Sequence, residues 1–440
     1  MKRRSFFGTT AGGAALAASL AAPYASHAAT VSAARTTGPG GKLAGLTLAG
    51  VRDQYRSEFD EFVNFFDKFV VDHEHGGFLC STNHDGAHMN ENKSASTEGR
   101  GIWCFSFMYN NGLVKDKKYL DYARRSIDFI MKHKPSGTDY WPTSYSRTGE
   151  GLNREGGLPG DCYIAEGLAE YSRATGDKKI ADLARETMLK CLAHYDRPDF
   201  KDGTTPFPGA RNQWYWMLFM WFGTNWLMKS PDPEILGIVD RCKDAMLDHH
   251  NNPDFNLWNL DINHDLTRPS GENVKHAKIA GCGHATEATW MILYEAVRRK
   301  DRALFDRAAE VFRRHAEVSW DDVYGGVFND CEDVDENRWQ LSKIFWAQAF
   351  IVINTLMIVE HTGADWAKDM FARQFDYIET KCRLKRWGYP LMIDGGDRKL
   401  SVLPKASRKD IYHHPRYLML CLLNCERMAK RAGKVSGVFA

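Results

Sequence analysis

The sequence predicts an all-α fold, an (α/α)6 barrel of about twelve helices with short β-hairpins in the loops on one face. Two observations predict it. Apolar residues recur at helical spacing along most of the chain. The connections between these stripes repeat a Gly-Gly core with an apolar or aromatic follower and then acidic turn residues.

The elements follow in chain order. Residues 1–28 carry paired Arg3 and Arg4, then Ser5, Phe6 and Phe7, a small-residue apolar run and a cleavage-like Ser26-His27-Ala28. This reads as a twin-arginine signal peptide, so a periplasmic or otherwise exported protein is expected. A membrane anchor is the alternative, but the run is short and rich in Ala and Gly rather than Leu. Residues 29–42 read as a flexible linker and 43–434 as a single catalytic barrel domain. No later stretch approaches ~18 uninterrupted apolar residues, so no integral membrane span is expected once the signal is removed.

In KKIADLARETMLKCLAHY, residues Ile180, Leu183, Ala184, Thr187, Met188, Cys191 and Leu192 form one apolar stripe. Similar stripes predict helices near 45–70, 97–111, 117–133, 161–174, 210–228 and 232–248. More follow near 284–299, 302–317, 341–361, 364–380 and 413–430. HEHGGFLCSTNHDG (73–86) and DDVYGGVFNDCEDVDEN (321–337) share the hairpin signature, and RWGYPLMIDGGD (386–397) is a looser copy. A helical solenoid is the other architecture that stacks helical pairs. Irregular repeat lengths and hairpin loops weigh against it.

Composition narrows the partners. Loss of Lys2, Arg3 and Arg4 with the leader takes the 58 basic residues to 55, against 56 acidic ones. A near-neutral mature chain argues against nucleic acid or an anionic membrane as partner. The 13 Trp, 17 Tyr and 24 Phe suit stacking on sugar faces as well as filling a large helical core. The ten cysteines lack the paired spacing of a zinc site, and buried thiols are expected rather than a disulfide framework.

Four segments carry residues that helix building does not require. Arg100 opens a helix beside Trp103, where a cation opposes the helix dipole; a surface arginine or an ion pair to Glu98 is the plainer account. Gly283-His284 leads into a helix with Glu287 three residues on, a spacing that allows a hydrogen bond and a neutral imidazole. A capping-box role for Glu287 is the bland alternative. Lys343, Trp346 and Gln348 stand on an otherwise apolar helix, which core packing and a solvated lysine also explain. His413 and His414 precede Pro415 and Arg416 at another helix start; Pro415 is a good starter, but the grouped histidines and arginine need a further reason.

These segments together resemble the N-acylglucosamine 2-epimerase superfamily, which includes cellobiose 2-epimerases and mannose isomerases. The family's GR-x-x-W element matches Gly99, Arg100 and Trp103. Its PGH-x-x-E-x-x-W element matches Gly283, His284, Glu287 and Trp290, with Cys282 in place of proline. Its FH-x-PR element matches Tyr412, His413, Pro415 and Arg416. Its K-x-x-W-x-Q-A-E element matches Lys343, Trp346, Gln348 and Ala349, with Phe350 where an acid is usual. The further histidine common in cellobiose epimerases has no counterpart in GARNQWYWMLFMW (209–221), which offers Arg211, Asn212, Gln213 and Trp214.

The resemblance implies an (α/α)6 barrel and proton transfer at C2 of a ring-opened sugar, without metal or other cofactor. His284 and His413 would act as the two bases, Arg100 would hold the carbonyl oxygen, and Glu287 would orient His284. Substrate binding would fall to Trp103, Trp346, Lys343, Gln348, Arg416, Trp214 and Asn212. The expected partner is a small carbohydrate, with the protein a monomer or homodimer. Competing readings are an exported glycoside hydrolase or lyase using Asp161, Asp321, Asp322 or Glu287, and a non-catalytic carbohydrate-binding relative. A metal site at Asp72, His73 and His75 with His84 is the remotest of them.

Overall fold

The apolar stripes become twelve α-helices among the described residues, which in the computed structural model are 42–137, 139–153, 157–384, 393–394, 399–400 and 410–440. They are α1 (Leu48–Phe69), α2 (Ala95–Asn110), α3 (Lys118–Met131), α4 (Leu158–Thr175), α5 (Lys178–Tyr195) and α6 (Gln213–Leu227). The second half holds α7 (Pro233–Asp244), α8 (Cys282–Arg299), α9 (Arg302–Ser319), α10 (Phe345–Thr362), α11 (Asp365–Tyr377) and α12 (His413–Lys430). The signal segment, and all of the linker except Lys42, lie outside the described residues.

Even-numbered helices form the inner ring, each touching the next even one, and α12 closes the ring on α2. Each odd-numbered helix packs outside, with α1 on α12, α3 on α2, α5 on α4, α7 on α6, α9 on α8 and α11 on α10. The sequence explains this division. α6 and α10 are buried on nearly every side, as a helix enclosed by neighbours must be. α9 buries only a stripe running from Phe305 through Ala308, Phe312 and His315 to Ser319, and turns its charges outward.

Long connections run from each outer helix to the next inner one, so they gather on the face where the inner helices begin. There, Arg211–Asn212 pair with Asp261–Ile262, and Ala280 bridges both Asn259 and Cys331. The bridges tie successive loops into a belt around the mouth. Cys331–Asp333 pair with Arg338–Trp339 as a hairpin, and Ile393–Asp394 pair with Lys399–Leu400. The rest of the 386–397 copy lies outside the described residues. The 73–86 copy forms only single bridges, Val71 to Phe78 and Thr82 to His88. Its Gly76 and Gly77 both take positive φ, as do Gly325 and Gly326 in the 321–337 copy.

The first and fifth of these loops are built alike. Asp72 and Asp321 each accept two amides of their own turn, at 2.9 to 3.2 Å. Each then receives a lysine from just before the following inner helix: Lys93 Nζ lies 3.0 Å from Asp72 Oδ2, and Lys343 Nζ 2.7 Å from Asp321 Oδ2. The same lysines bond the carbonyls of Gly76 and Gly325.

All ten cysteines are free and buried, as their scattered spacing predicts. Among the described residues, no helix is long and apolar enough to cross a membrane.

Candidate active site

The inner helices all point their N-termini at the hairpin face. α4, α8 and α10 start without a side-chain cap, and their N-terminal dipole ends favour negative charge at the mouth. Five side chains near the starts of five inner helices remain partly open there: Trp214 (α6), His284 (α8), Trp346 (α10) and His413 (α12) from first turns, and Arg100 from the second turn of α2, which begins at Ala95 rather than at Arg100. Most of their neighbours along these helices are buried.

Trp346 packs against both histidines. Its ring centroid is 5.3 Å from that of His284 and 6.1 Å from that of His413, with interplanar angles of 36° and 29°. Gly283 makes this possible, since a Cβ there would lie 2.2 Å from Asn329 Oδ1 and 3.0 Å from the Trp346 ring. His284 is the third residue of α8, whose N-cap is Gly281, so the capping-box account of Glu287 does not hold. His284 Nδ1 has no hydrogen-bond partner among the described residues. Asp330 stands near it; burial raises the Asp330 carboxyl, and His284 pulls it back.

His413 has a carboxylate partner. Asp410 Oδ1 lies 3.3 Å from His413 Nδ1 and accepts the amides of Tyr412 and His413 at 3.0 and 2.8 Å. Desolvation works against the Asp410 charge, but His413 and the two amides hold the carboxyl well below its ordinary range. Phe350, fully buried, packs on the His413 ring at 6.3 Å.

Arg100 lies over the Tyr163 ring at 3.9 Å and the Tyr412 ring at 5.2 Å. Trp214 Nε1 donates to Tyr163 Oη at 3.3 Å, which brings α2, α4 and α6 together at one point. Close helix approach permits it. A Cβ on Gly99 would lie 2.3 Å from the Tyr163 carbonyl carbon, and one on Gly167 would lie 2.4 Å from the Gly99 oxygen.

Beneath these groups lies a buried charged floor. Arg416 pairs with Glu287 and stacks over Tyr412 at 4.2 Å. Tyr412 Oη donates to both oxygens of Glu166, at 2.7 and 2.9 Å. Burial pushes the Glu166 carboxyl up to about 7, against the pull of Tyr412, Arg416 and Arg100.

The structure brings Arg100, His284, Trp346, His413 and Trp214 to the mouth, with Glu287 and Arg416 below. It corrects other expectations. Glu287 turns inward to Arg416 rather than to His284, because one helical turn carries it from the rim to the buried floor. Lys343 is fully buried and holds Asp321 and the Gly325 carbonyl, so it staples a loop and is withheld from substrate. Gln348 bonds both backbone groups of Val327, accepting at 2.9 Å and donating at 2.7 Å, and serves the same loop. Asn212 caps α6 through the Trp214 amide and donates to Asp261. Trp103 is buried edge-on to Tyr412 and stacked on Phe107, in the core below the site. The Asp72 carboxylate, offered above as part of a metal site, is taken by Lys93 and Arg147.

Asp410, Glu166 and Tyr163 were not picked out from the sequence. Asp410 had a local signal: an Asp three residues before a helix start is a common acceptor for its first amides. Glu166 and Tyr163 had none, because only the ring closure of α4 against α2 and α12 gives them partners.

Comparison with known proteins agrees with this architecture. A family model described as N-acylglucosamine 2-epimerase (GlcNAc 2-epimerase) matches residues 236–416, a span that includes His284, Glu287, Trp346, His413 and Arg416. The chain is 24% identical over 397 residues to the N-acylglucosamine 2-epimerase of Bos taurus, covering 87% of this chain and 92% of that protein. It is 29% identical over 293 residues to the cellobiose 2-epimerase of Dictyoglomus turgidum, covering 60% of this chain and 70% of that one. The fold is shared with the cellobiose 2-epimerase structure from Spirochaeta thermophila, at a TM-score of 0.71 and 17% identity, covering 87% and 98% of the two chains.

Proposed function

With the N-acylglucosamine 2-epimerase superfamily as the family to which this chain is related, we propose that it is a carbohydrate isomerase acting at C2 of an open-chain reducing sugar or amino sugar. The observation that carries the reading is the pair of partly open imidazoles, from α8 and α12, both packed against the Trp346 ring.

A proton next to an aldehyde is removed by a neutral imidazole to give an enediolate, and a fixed cation stabilises the oxyanion. His284 and His413 supply the two imidazoles. Return of the proton to C2 from the opposite face inverts that centre; return to C1 gives the ketose. Arg100 is the cation for the oxyanion, since it is partly open while Arg416 is fully buried and spent on Glu287. Trp346 and Trp214 offer faces for the sugar. Three of the four carboxylates offered for hydrolysis are separately engaged: Asp161 with Lys190, Asp321 with Lys343 and Glu287 with Arg416. Glycoside hydrolysis is therefore not favoured.

Incubation of the mature protein with reducing sugars in deuterated water tests this. Deuterium at C2 or C1 without bond cleavage is expected, and new reducing ends would instead mark a hydrolase. The paired arginines and small-residue run of the leader support export through the twin-arginine route. Export is tested by loss of the periplasmic pool when Arg3 and Arg4 are both changed to Lys.

A further inference from the structure

We propose that Asp410 is a positioning residue for His413: its carboxylate holds the imidazole as the Nδ1–H tautomer, leaving Nε2 bare towards the substrate. The inference rests on the proposed proton-transfer reading, because it concerns the base that reading assigns to α12.

Three observations carry it. Asp410 Oδ1 is 3.3 Å from His413 Nδ1, the side chain it pairs with among the described residues. The same oxygen accepts the amides of Tyr412 and His413, so the carboxylate cannot swing away without losing the start of α12. Among the described residues, aromatic rings pack on the imidazole: Trp346 at 6.1 Å, Phe350 at 6.3 Å and the edge of Tyr412 at 5.6 Å. A carboxylate accepts only, so the nitrogen that faces it must carry the hydrogen. The opposite nitrogen is then the base, and the nearby negative charge steadies the imidazolium formed when it takes the C2 proton. Trp346 and Phe350 keep the ring from turning to present the wrong atom.

Two variants separate positioning from helix capping. Asp410→Ser keeps a hydroxyl for the first amides of α12 but cannot reach Nδ1. Asp410→Asn keeps the acceptor oxygen in place and removes the charge. The expected result is a kcat lower by about 100-fold in Asp410→Ser and by about tenfold in Asp410→Asn, with KM within about twofold. The second readout needs no sugar. In protein labelled with 15N-histidine, the His413 signals, assigned through His413→Gln, show Nδ1 protonated in the wild type at alkaline pH. They average towards both tautomers in Asp410→Ser. An unchanged nitrogen pattern in Asp410→Ser, or an unchanged kcat in both variants, overturns the proposal. If Asp410→Ser does not fold, the kcat and KM of Asp410→Asn decide it alone. A changed nitrogen pattern in a protein that exchanges no sugar sinks the isomerase reading and leaves the Asp410–His413 pairing standing.

Discussion

Glu287 of α8 and Arg416 of α12 form a buried ion pair directly beneath the two histidines, so the helices that carry His284 and His413 are locked together across the ring. Removing one partner strands the other as a buried charge, which typically costs about 3–5 kcal/mol. Arg416→Met is expected to lose that much in denaturant unfolding. Glu287→Gln, which keeps a hydrogen bond to the guanidinium, is expected to lose less. Equal stability in Arg416→Met and wild type would show that the pair does not join the helices.

His284→Ala and His413→Ala are each expected to lower deuterium exchange into the sugar by a factor of about 100 or more. The measure is proton NMR of the C2 position after incubation in deuterated water. Full exchange by either variant overturns the two-base scheme.

Lys343→Met should separate stability from chemistry. The lysine is fully buried against Asp321, and its loss leaves that carboxylate without its countercharge and takes a donor from the Gly325 carbonyl. Unfolding free energy is expected to fall by about 3 kcal/mol or more, with KM unchanged in the folded fraction. A large rise in KM at unchanged stability would return Lys343 to the substrate site.

Acid stability should bear the mark of two buried histidines. His315 Nε2 accepts the Trp258 amide at 2.8 Å while its Nδ1 faces the Val311 carbonyl at 2.9 Å, so it must be neutral in the native state. Burial pushes His315 and His250 down to about 4, from an ordinary 6.5. Below pH 6.5 the unfolded chain takes up protons that the native one refuses. Stability is therefore lost as pH falls from 6.5 to about 4, by about 3 kcal/mol for each histidine. His315→Gln cannot titrate, and its unfolding midpoint should fall less steeply than the wild type's across that window.

Gly283→Ala should disturb catalysis more than folding. The added methyl meets Asn329 Oδ1 and the Trp346 ring, and the indole packs against both imidazoles. A kcat reduced tenfold or more is expected, read in the same exchange assay, while the melting temperature moves by only a few degrees. Unchanged kcat would mean that Trp346 does not set the spacing.

Local chemistry by itself determined the helices, their order, the glycine turns and the residues grouped at helix starts. The 3.6-residue period marks each buried stripe, and Gly283-His284-x-x-Glu287 or His413-x-Pro415-Arg416 is visible wherever the chain goes. What Glu287, Lys343 and Gln348 do was decided only by tertiary structure. A polar side chain on an apolar helix reads alike whether it meets substrate, a loop carbonyl or an opposite charge. Its partner lies tens to hundreds of residues away, and ring closure alone selects it. Glu287 meets Arg416, 129 positions on, and Tyr412 meets Glu166, 246 positions back. Those long-range pairings separate the rim, where water reaches His284 and His413, from the floor that holds them in place.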